Sequence, residues 1–306
     1  MRGRLPSGTT ERLHRVETTS AAHLREQDFP AVFLRADRSS TRAQRLFLAA
    51  TAVALALVVF AAVMGVVSDA WAGWAGAAAF AGALLVGALA VTQNLERTWY
   101  DGRALAESAK SLTWLYTVRG GDLTDLSTSD DVFRKRLRAL RAELERIDFV
   151  ISGSGSEISD RMRELRGGSL TARRDLYMRH RIGNQIAYYR GRSHQHADYA
   201  RRFRAATWTA QSLGLAGAVL KATSVVEIDL LGVGAAAAAA LTAWLQTRDH
   251  VTLERAYELT AADLDAVKED LPSDGDEVDW AAYVADAESA MSREHVMWLA
   301  RRGRTR

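Results

Sequence analysis

The chain has no cysteine and only three prolines in 306 residues. Without cysteine it can form no disulfide, offers no thiolate nucleophile and cannot build a Cys-ligated zinc site. Scarce proline leaves long helices unbroken. The short motifs of common chemistries are missing too: no GxGxxG or GxxxxGK[ST] phosphate loop, no HExxH and no GxSxG. Gly153-Ser154-Gly155 lacks the length and the lysine of a phosphate loop, and only the short strand-like run Phe149-Val150-Ile151 precedes it. Among the seven histidines, His194 and His196 are two apart and point to different helix faces. Asp198, four beyond His194, would complete only a weak metal pair, and a surface hydrogen-bonding cluster is the preferred reading. Glu157, Asp160 and Glu164 have no partner pattern for acid–base catalysis. The expectation is therefore a protein with no catalytic residues, no cofactor and no metal.

Charge is present but unevenly spread. Hydrophobic residues are 48% of the chain and charged residues 25%, ordinary values for a soluble protein, yet the apolar residues collect in runs with the charges between them. Leu46 to Val67 is twenty-two residues without a charge. As a helix it is about 30 Å long, the thickness of a bilayer's hydrocarbon core. Ser68-Asp69-Ala70 interrupts, and Trp71 to Val91 is again uncharged. Two such runs joined by a short turn read as a transmembrane hairpin; the competing reading is a buried helical hairpin in a large core. The first run starts too far into the chain for a cleaved signal peptide, so an uncleaved anchor is expected.

A weaker pair follows, Ala205 to Leu220 and Leu230 to Leu245, each near the short limit for crossing. Trp208, Thr223 and Trp244 could extend the pair into the interface while Lys221 snorkels. A soluble hairpin or a re-entrant segment remains open for it. Arg35, Arg38, Arg42 and Arg45 precede the first run, Arg97 and Arg103 follow the second, Arg201, Arg202 and Arg204 precede the third, and Arg248 and Arg255 follow the fourth. This bias places both termini and the central segment in the cytoplasm, with the two short turns outside. No run contains an acid, a histidine or a row of arginines, which argues against a proton-coupled transporter or a voltage sensor.

The chain reads as a duplicated unit: basic pre-helix, two spans, long amphipathic helix. The first amphipathic helix, Asn94 to Val118, carries Trp99, Arg103, Glu107, Lys110 and Trp114. The second, Asp249 to Leu271, has Leu253, Tyr257, Leu264 and Val267 at helical spacing and is ended by Pro272. A last helix runs from about Trp280 to Arg301. In the centre, Phe133, Leu137, Leu140, Leu144 and Ile147 line one helix face beside Arg134, Lys135, Arg136, Arg138 and Arg141. That helix could lie on anionic lipid, but packing on a neighbour with its basic side in solvent is preferred. SGSGS at Ser152 to Ser156 is a turn or flexible joint, and a helix pair split by Gly167-Gly168 follows. Spacings of four put Arg173, Tyr177, Arg181, Gln185 and Tyr189 along one polar stripe suited to hydrogen-bonded helix packing.

At this stripe the chain resembles a known family. The stretch Glu157 to Arg202, with Ile158, Met162, Arg163 and Arg166, then Arg174, Tyr177, Arg181, Ile182, Gln185, Tyr188 and Tyr189, is similar to the SLATT superfamily, in particular the branch known as the DUF4231 domain. The first half, with its hairpin and the helix of Trp99, Arg103, Glu107, Ser111 and Trp114, looks like a second such unit. The resemblance covers about residues 28 to 302. It implies a two-span effector of bacterial conflict or antiphage systems, encoded beside a nucleotide-messenger synthase or sensor, that oligomerises and opens a pore in the inner membrane. A non-conducting membrane scaffold is the alternative.

The expected fold is all-α: two duplicated two-span hairpins with long cytoplasmic amphipathic helices. The expected divisions are a weakly ordered segment 1–27, a first unit 28–120, a helical linker 121–156 and a second unit 157–302. Candidate packing or signalling residues are Arg174, Tyr177, Arg181, Gln185, Tyr189, Trp99, Arg103, Glu107 and Trp114. Four helices of Ala, Leu, Val and Gly in one chain would pack shut, so a homo-oligomer in the lipid bilayer is expected. Gly76, Gly87, Gly214 and Gly232 are its candidate contacts. The basic clusters contain Tyr188, Tyr189, Tyr199 and Phe203, but they sit where membrane topology places positive charge, and no direct nucleic-acid binding is expected.

Overall fold

The computed structural model describes residues 23–146, 157–272 and 275–303, with backbone alone at 144, 146 and 292–303. The SGSGS joint, the run Phe149 to Ile151, Ile147 and the first twenty-two residues lie outside the described residues. Every regular element among the described residues is helical. They are α1 (Ala31–Met64), α2 (Ala70–Thr92), α3 (Leu95–Val118), α4 (Ser129–Arg146), α5 (Asp160–Arg166), α6 (Leu170–Tyr177), a π-helical turn (Met178–Gly183), α7 (Asn184–Ala222), α8 (Leu230–Arg248), α9 (His250–Glu269) and α10 (Glu277–Gly303). The three-residue 3-10 turn Glu26–Asp28 precedes α1.

Local chemistry sets several boundaries. Ser159 caps α5 by accepting from the Met162 N–H, and Ser169 caps α6 by accepting from the Ala172 N–H. Gly167-Gly168 separates the two. Asp229 caps α8 through the Leu231 N–H, and α8 ends at Asp249 in the left-handed conformation, φ 49°. Asn94, at φ 49°, divides α2 from α3 in the same way. Asp and Asn tolerate this conformation better than other residues with a Cβ.

The chain forms two compact units that do not follow chain order. Among the described residues, unit 1 takes those from 23 to Asp37, those within Gly102–Ile186 and those from Asp263 to 303. Unit 2 takes Arg38–Asp101 and Ala187–Ala262.

Unit 1 has a conventional core. Leu105, Ala109, Leu112 and Tyr116 recur at spacings of four and three on α3 and are buried. Phe133 and Leu137 of α4, Met162 of α5, Leu176 and Tyr177 of α6, and Trp280, Val284 and Ala287 of α10 are buried as well. Ala36, Leu105 and Ala106 form one cluster, with Phe33 and Leu140 against it. The apolar face of α4 is thus used inward, and Arg134 and Arg136 on its other side pair with Asp130, Asp131 and Asp122. At the turn after α3, a Cβ on Gly120 would meet Val284 Cγ1 at 2.5 Å, so only glycine lets α10 approach there.

Unit 2 is different in kind. Three helical stretches among the described residues are long and apolar enough to cross a membrane; they begin at Ala31, Ala70 and Leu230. In the most apolar window of each, 0%, 11% and 11% of residues are buried within the chain. The Ala205–Leu220 segment lies inside α7, where Thr207, Thr209, Gln211 and Ser212 dilute its apolar character, and it does not join the three.

Candidate functional site

The apolar helices of unit 2 present their large side chains outward. Trp71, Trp74, Phe80, Leu84, Leu85 and Leu89 of α2 are all exposed, as are Trp208, Leu213 and Leu215 of α7. Leaving such a side chain in water instead of burying it costs about 1.5–3 kcal/mol, and a hydrocarbon surround removes that cost. The protein is accordingly a multi-pass helical membrane protein.

Where these helices touch one another, small residues make the closest contacts. On Gly234 of α8, a Cβ would come within 2.6 Å of Gly214 Cα and 2.8 Å of the Ala210 carbonyl on α7. The two backbones therefore touch at Gly214 and Gly234, and Gly217 is held as closely against Leu230. A Cβ on Gly76 would make ordinary contact, 3.4 Å, with Ala61 and Met64 of α1. Gly76 also lines an apolar groove of about 540 Å³ with Val58, Gly65, Ala72, Phe80 and Ala236. Nothing lies within 4 Å of a Cβ built on Gly87 or Gly232.

Unit 1 holds a buried polar cluster. Arg181 and Glu288 are each 2% exposed. The Arg181 guanidinium donates through Nε to Glu288 Oε1 at 2.8 Å and through Nη2 to Oε2 at 2.6 Å, a fork-to-fork pair. Tyr177 donates its hydroxyl to Glu288 Oε1 at 3.0 Å, and Arg181 Nη2 also reaches Ser111 Oγ at 3.3 Å. Burial would pull the guanidinium down, but the Glu288 carboxylate overrides it and holds Arg181 above its ordinary value. Burial, then Glu288, pushes the Tyr177 phenol well above its own. Beside the pair, burial lowers the Lys110 ammonium despite Glu107, with Arg181 adding to the shift.

The π-helical turn explains how Arg181 arrives there. In an α-helix, a spacing of four drifts about 40° around the axis at each step. The wider π turn reduces the drift between Tyr177 and Arg181, so Arg173, Tyr177 and Arg181 are all buried. Arg173 pairs with Glu277 and donates to the Val118 carbonyl at 3.0 Å, which also accepts from Trp280 Nε1 at 2.8 Å. Arg174 donates to the Gly275 carbonyl, with its guanidinium 5.8 Å from the Trp280 ring centre.

A further arginine clamps the end of α3 and the loop that follows it. Arg166, 4% exposed, donates to the carbonyls of Tyr116 at 2.5 Å, Leu123 at 2.8 Å and Asp125 at 3.3 Å, and to Ser129 Oγ at 2.7 Å. It closes the loop between α3 and α4. The Tyr116 hydroxyl donates to Asp130 at 2.6 Å, and burial together with that bond pushes its phenol up to about 12.

The sequence-predicted residues divide between the units. Trp114 is buried and meets Tyr177 edge-on at 5.9 Å. Arg103 pairs with Glu107 at 2.8 Å and lies 3.8 Å from Asp37. Gln185 is half-buried at the end of unit 1. Trp99 belongs to unit 2, stacked on Tyr100 at 4.5 Å with its carbonyl accepting from Ser40. Tyr189 is also in unit 2, against Tyr257 at 5.6 Å. The polar stripe is therefore one sequence pattern serving two places. Sequence reasoning missed Glu288 and Glu277, and did not single out Arg166 from the motif containing it. A carboxylate falling on the apolar face of Trp280, Val284, Ala287 and Met291 was the available signal for Glu288.

Comparison with known families gives two matches. The model described as SMODS and SLOG-associating 2TM effector domain 3 matches residues 30–174. The one described as SMODS and SLOG-associating 2TM effector domain 1 matches residues 177–298. No curated protein and no solved structure matches the chain.

Proposed function

Because the chain belongs to the SLATT family and carries two of its domains in tandem, we propose that it is a membrane effector of a bacterial conflict or antiphage system that oligomerises and permeabilises the inner membrane when signalled. The observation that carries this reading is the outward-facing apolar surface of unit 2. A chain whose spans bury almost nothing among themselves has surface to give to lipid and to other copies.

The two-hairpin topology belongs to the same proposal. The apolar stretch of α7 is the fourth span, Asp69 and Glu227 lie outside, and the termini and central segment lie in the cytoplasm. The asymmetry of arginine around the spans supports this. The trigger is a partner: a nucleotide-messenger synthase or sensor, in keeping with the SMODS and SLOG association in the names of the matched domains. Unit 1, with its network of buried arginines, is the part such a partner would address.

Dye-loaded liposomes test the effector reading. The full chain with its activating partner should release the dye, and intact vesicles under the same conditions would favour a non-conducting scaffold. Reporter fusions at Asp69, Ser154 and Glu227 test the topology. Only Asp69 and Glu227 should be outside; a cytoplasmic Glu227 would reduce the membrane part to the first hairpin and leave the second pair uncrossed.

A further inference from the structure

Two imidazoles in unit 2 have no role in the packing described above. His196 lies on α7 ahead of its apolar stretch, and His250 opens α9 directly after α8. Their Nδ1 atoms are 2.9 Å apart, with ring centres at 4.9 Å. That contact needs one Nδ1–H and one bare Nδ1, so the pair holds together when both rings are neutral or when only one is protonated. With both protonated, two N–H groups and two positive charges face each other.

The surroundings tighten this requirement. His250 is 1% exposed and His196 is half-buried. From α7, Tyr199 and Phe203 pack on the His250 ring at 5.2 and 6.1 Å; from α9, Tyr257 meets His196 at 5.5 Å. The charges acting on the pair are Arg192 of α7 and Arg248 of α8, with the Asp249 carboxylate opposing Arg248 at His250. Asp249 is also the single residue between α8 and α9, in the left-handed conformation. A one-residue joint with a bond just beyond it is a place where α9 can be tied or freed.

We propose that His196 and His250 form an acid-released latch on the second hairpin, tying the start of α9 to α7 when the pair carries at most one proton and letting it go when the second arrives. The direction follows from linkage. Burial, then His250 and the two arginines, holds the His196 imidazole down to about 4, and burial with Arg248 lowers His250. The latched form thus binds fewer protons than the released form. The latch is at full strength above the ordinary imidazole value of about 6.5 and weakens as pH falls toward about 4. From His196 alone, the ratio of released to latched rises about 30-fold between pH 7.5 and pH 5.

The test uses the full chain in lipid nanodiscs with ¹⁵N-labelled histidine. At pH 7.5 these two rings should show one protonated and one bare Nδ1. Hydrogen exchange over 244–256, corrected for its intrinsic pH dependence, should rise at least about tenfold by pH 5, within the same linkage estimate. The double variant His196→Phe/His250→Phe keeps the ring stack and cannot be protonated, so its exchange should not respond to pH. Arg248→Gln, which keeps the pair but removes a neighbouring cation, should shrink the response. Two rings titrating independently near the ordinary value, exchange unchanged between the two pH values, or a full response in the double Phe variant would each overturn the latch. None of these readouts involves leakage, so a failure of the effector reading would be seen separately.

Discussion

In unit 1 the most constrained contacts run through long polar side chains: Arg181 to Glu288, Arg173 to Glu277 and Val118, Arg166 to three carbonyls. In unit 2 they run through glycine: the Gly234 and Gly214 backbones touch, and Gly217 leaves room for the Leu230 side chain. Each choice suits its surroundings. Where water drives apolar burial, a domain can accommodate a few desolvated charges if every one is paired. Where lipid replaces water, apolar burial drives little, and close van der Waals approach takes over. The two units should therefore fail to opposite insults, loss of a charge in one and gain of a methyl in the other.

The largest effect is expected at Glu288. Glu288→Gln keeps the volume but leaves Arg181 buried beside a neutral amide, and should destabilise unit 1 by about 3–5 kcal/mol. Hydrogen exchange across α10 and α6 would measure it. The double variant Arg181→Met/Glu288→Leu should recover most of the loss, since two apolar groups leave no charge unpaired. If the double variant is as damaged as the single, the pair itself, and not the stranded charge, holds unit 1 together.

Next comes Gly234→Ala. A helix interior gains about 1 kcal/mol when Ala replaces Gly. Here the new methyl meets the Gly214 Cα and the Ala210 carbonyl, backbone atoms that cannot turn aside. Overpacking of about 1–3 kcal/mol should win, giving a net loss of protection in α7 and α8. The same substitution at Gly232, which faces open space, should be neutral or slightly stabilising in the monomer. Tyr177→Phe removes one hydrogen bond to the buried Glu288 carboxylate and should cost about 1.5–3 kcal/mol, below the loss in Glu288→Gln because the Arg181 fork stays intact.

What could be read from the sequence follows the same division. The uncharged runs announced the apolar helices because lipid imposes composition over twenty residues at a time. The arginines of the stripe were visible as a spacing of four, but their destinations were not. The spacing fits an α-helix imperfectly, and only the π turn at Met178–Gly183 brings Arg181 onto the face of Arg173 and Tyr177. Glu288 lies over a hundred residues from Arg181, and nothing local to either marks the partnership. The glycines were legible as a class and not one by one: Gly214 is engaged inside its own hairpin, whereas Gly87 is not, and the four-residue spacing shared by many small residues cannot separate them.

The smallest intrachain effect is expected from Gly87→Leu and Gly232→Leu, and there the difference between the units becomes a statement about assembly. Neither position has an atom within 4 Å of an added Cβ, so neither substitution should alter monomer helix content or exchange. A leucine keeps each span apolar, so insertion should also be unchanged. If the bare faces of α2 and α8 are where neighbouring copies approach, the added side chains hold those helices apart, and the oligomer should be lost with the monomer intact. Native mass measurement in nanodiscs separates the outcomes. Loss of higher-order species in Gly87→Leu or Gly232→Leu, without the monomer damage caused by Gly234→Ala, assigns those faces to contacts between chains. Full-sized oligomers in both variants would mean that the open glycine faces meet lipid alone, and that assembly uses the larger exposed side chains such as Trp74 and Leu84.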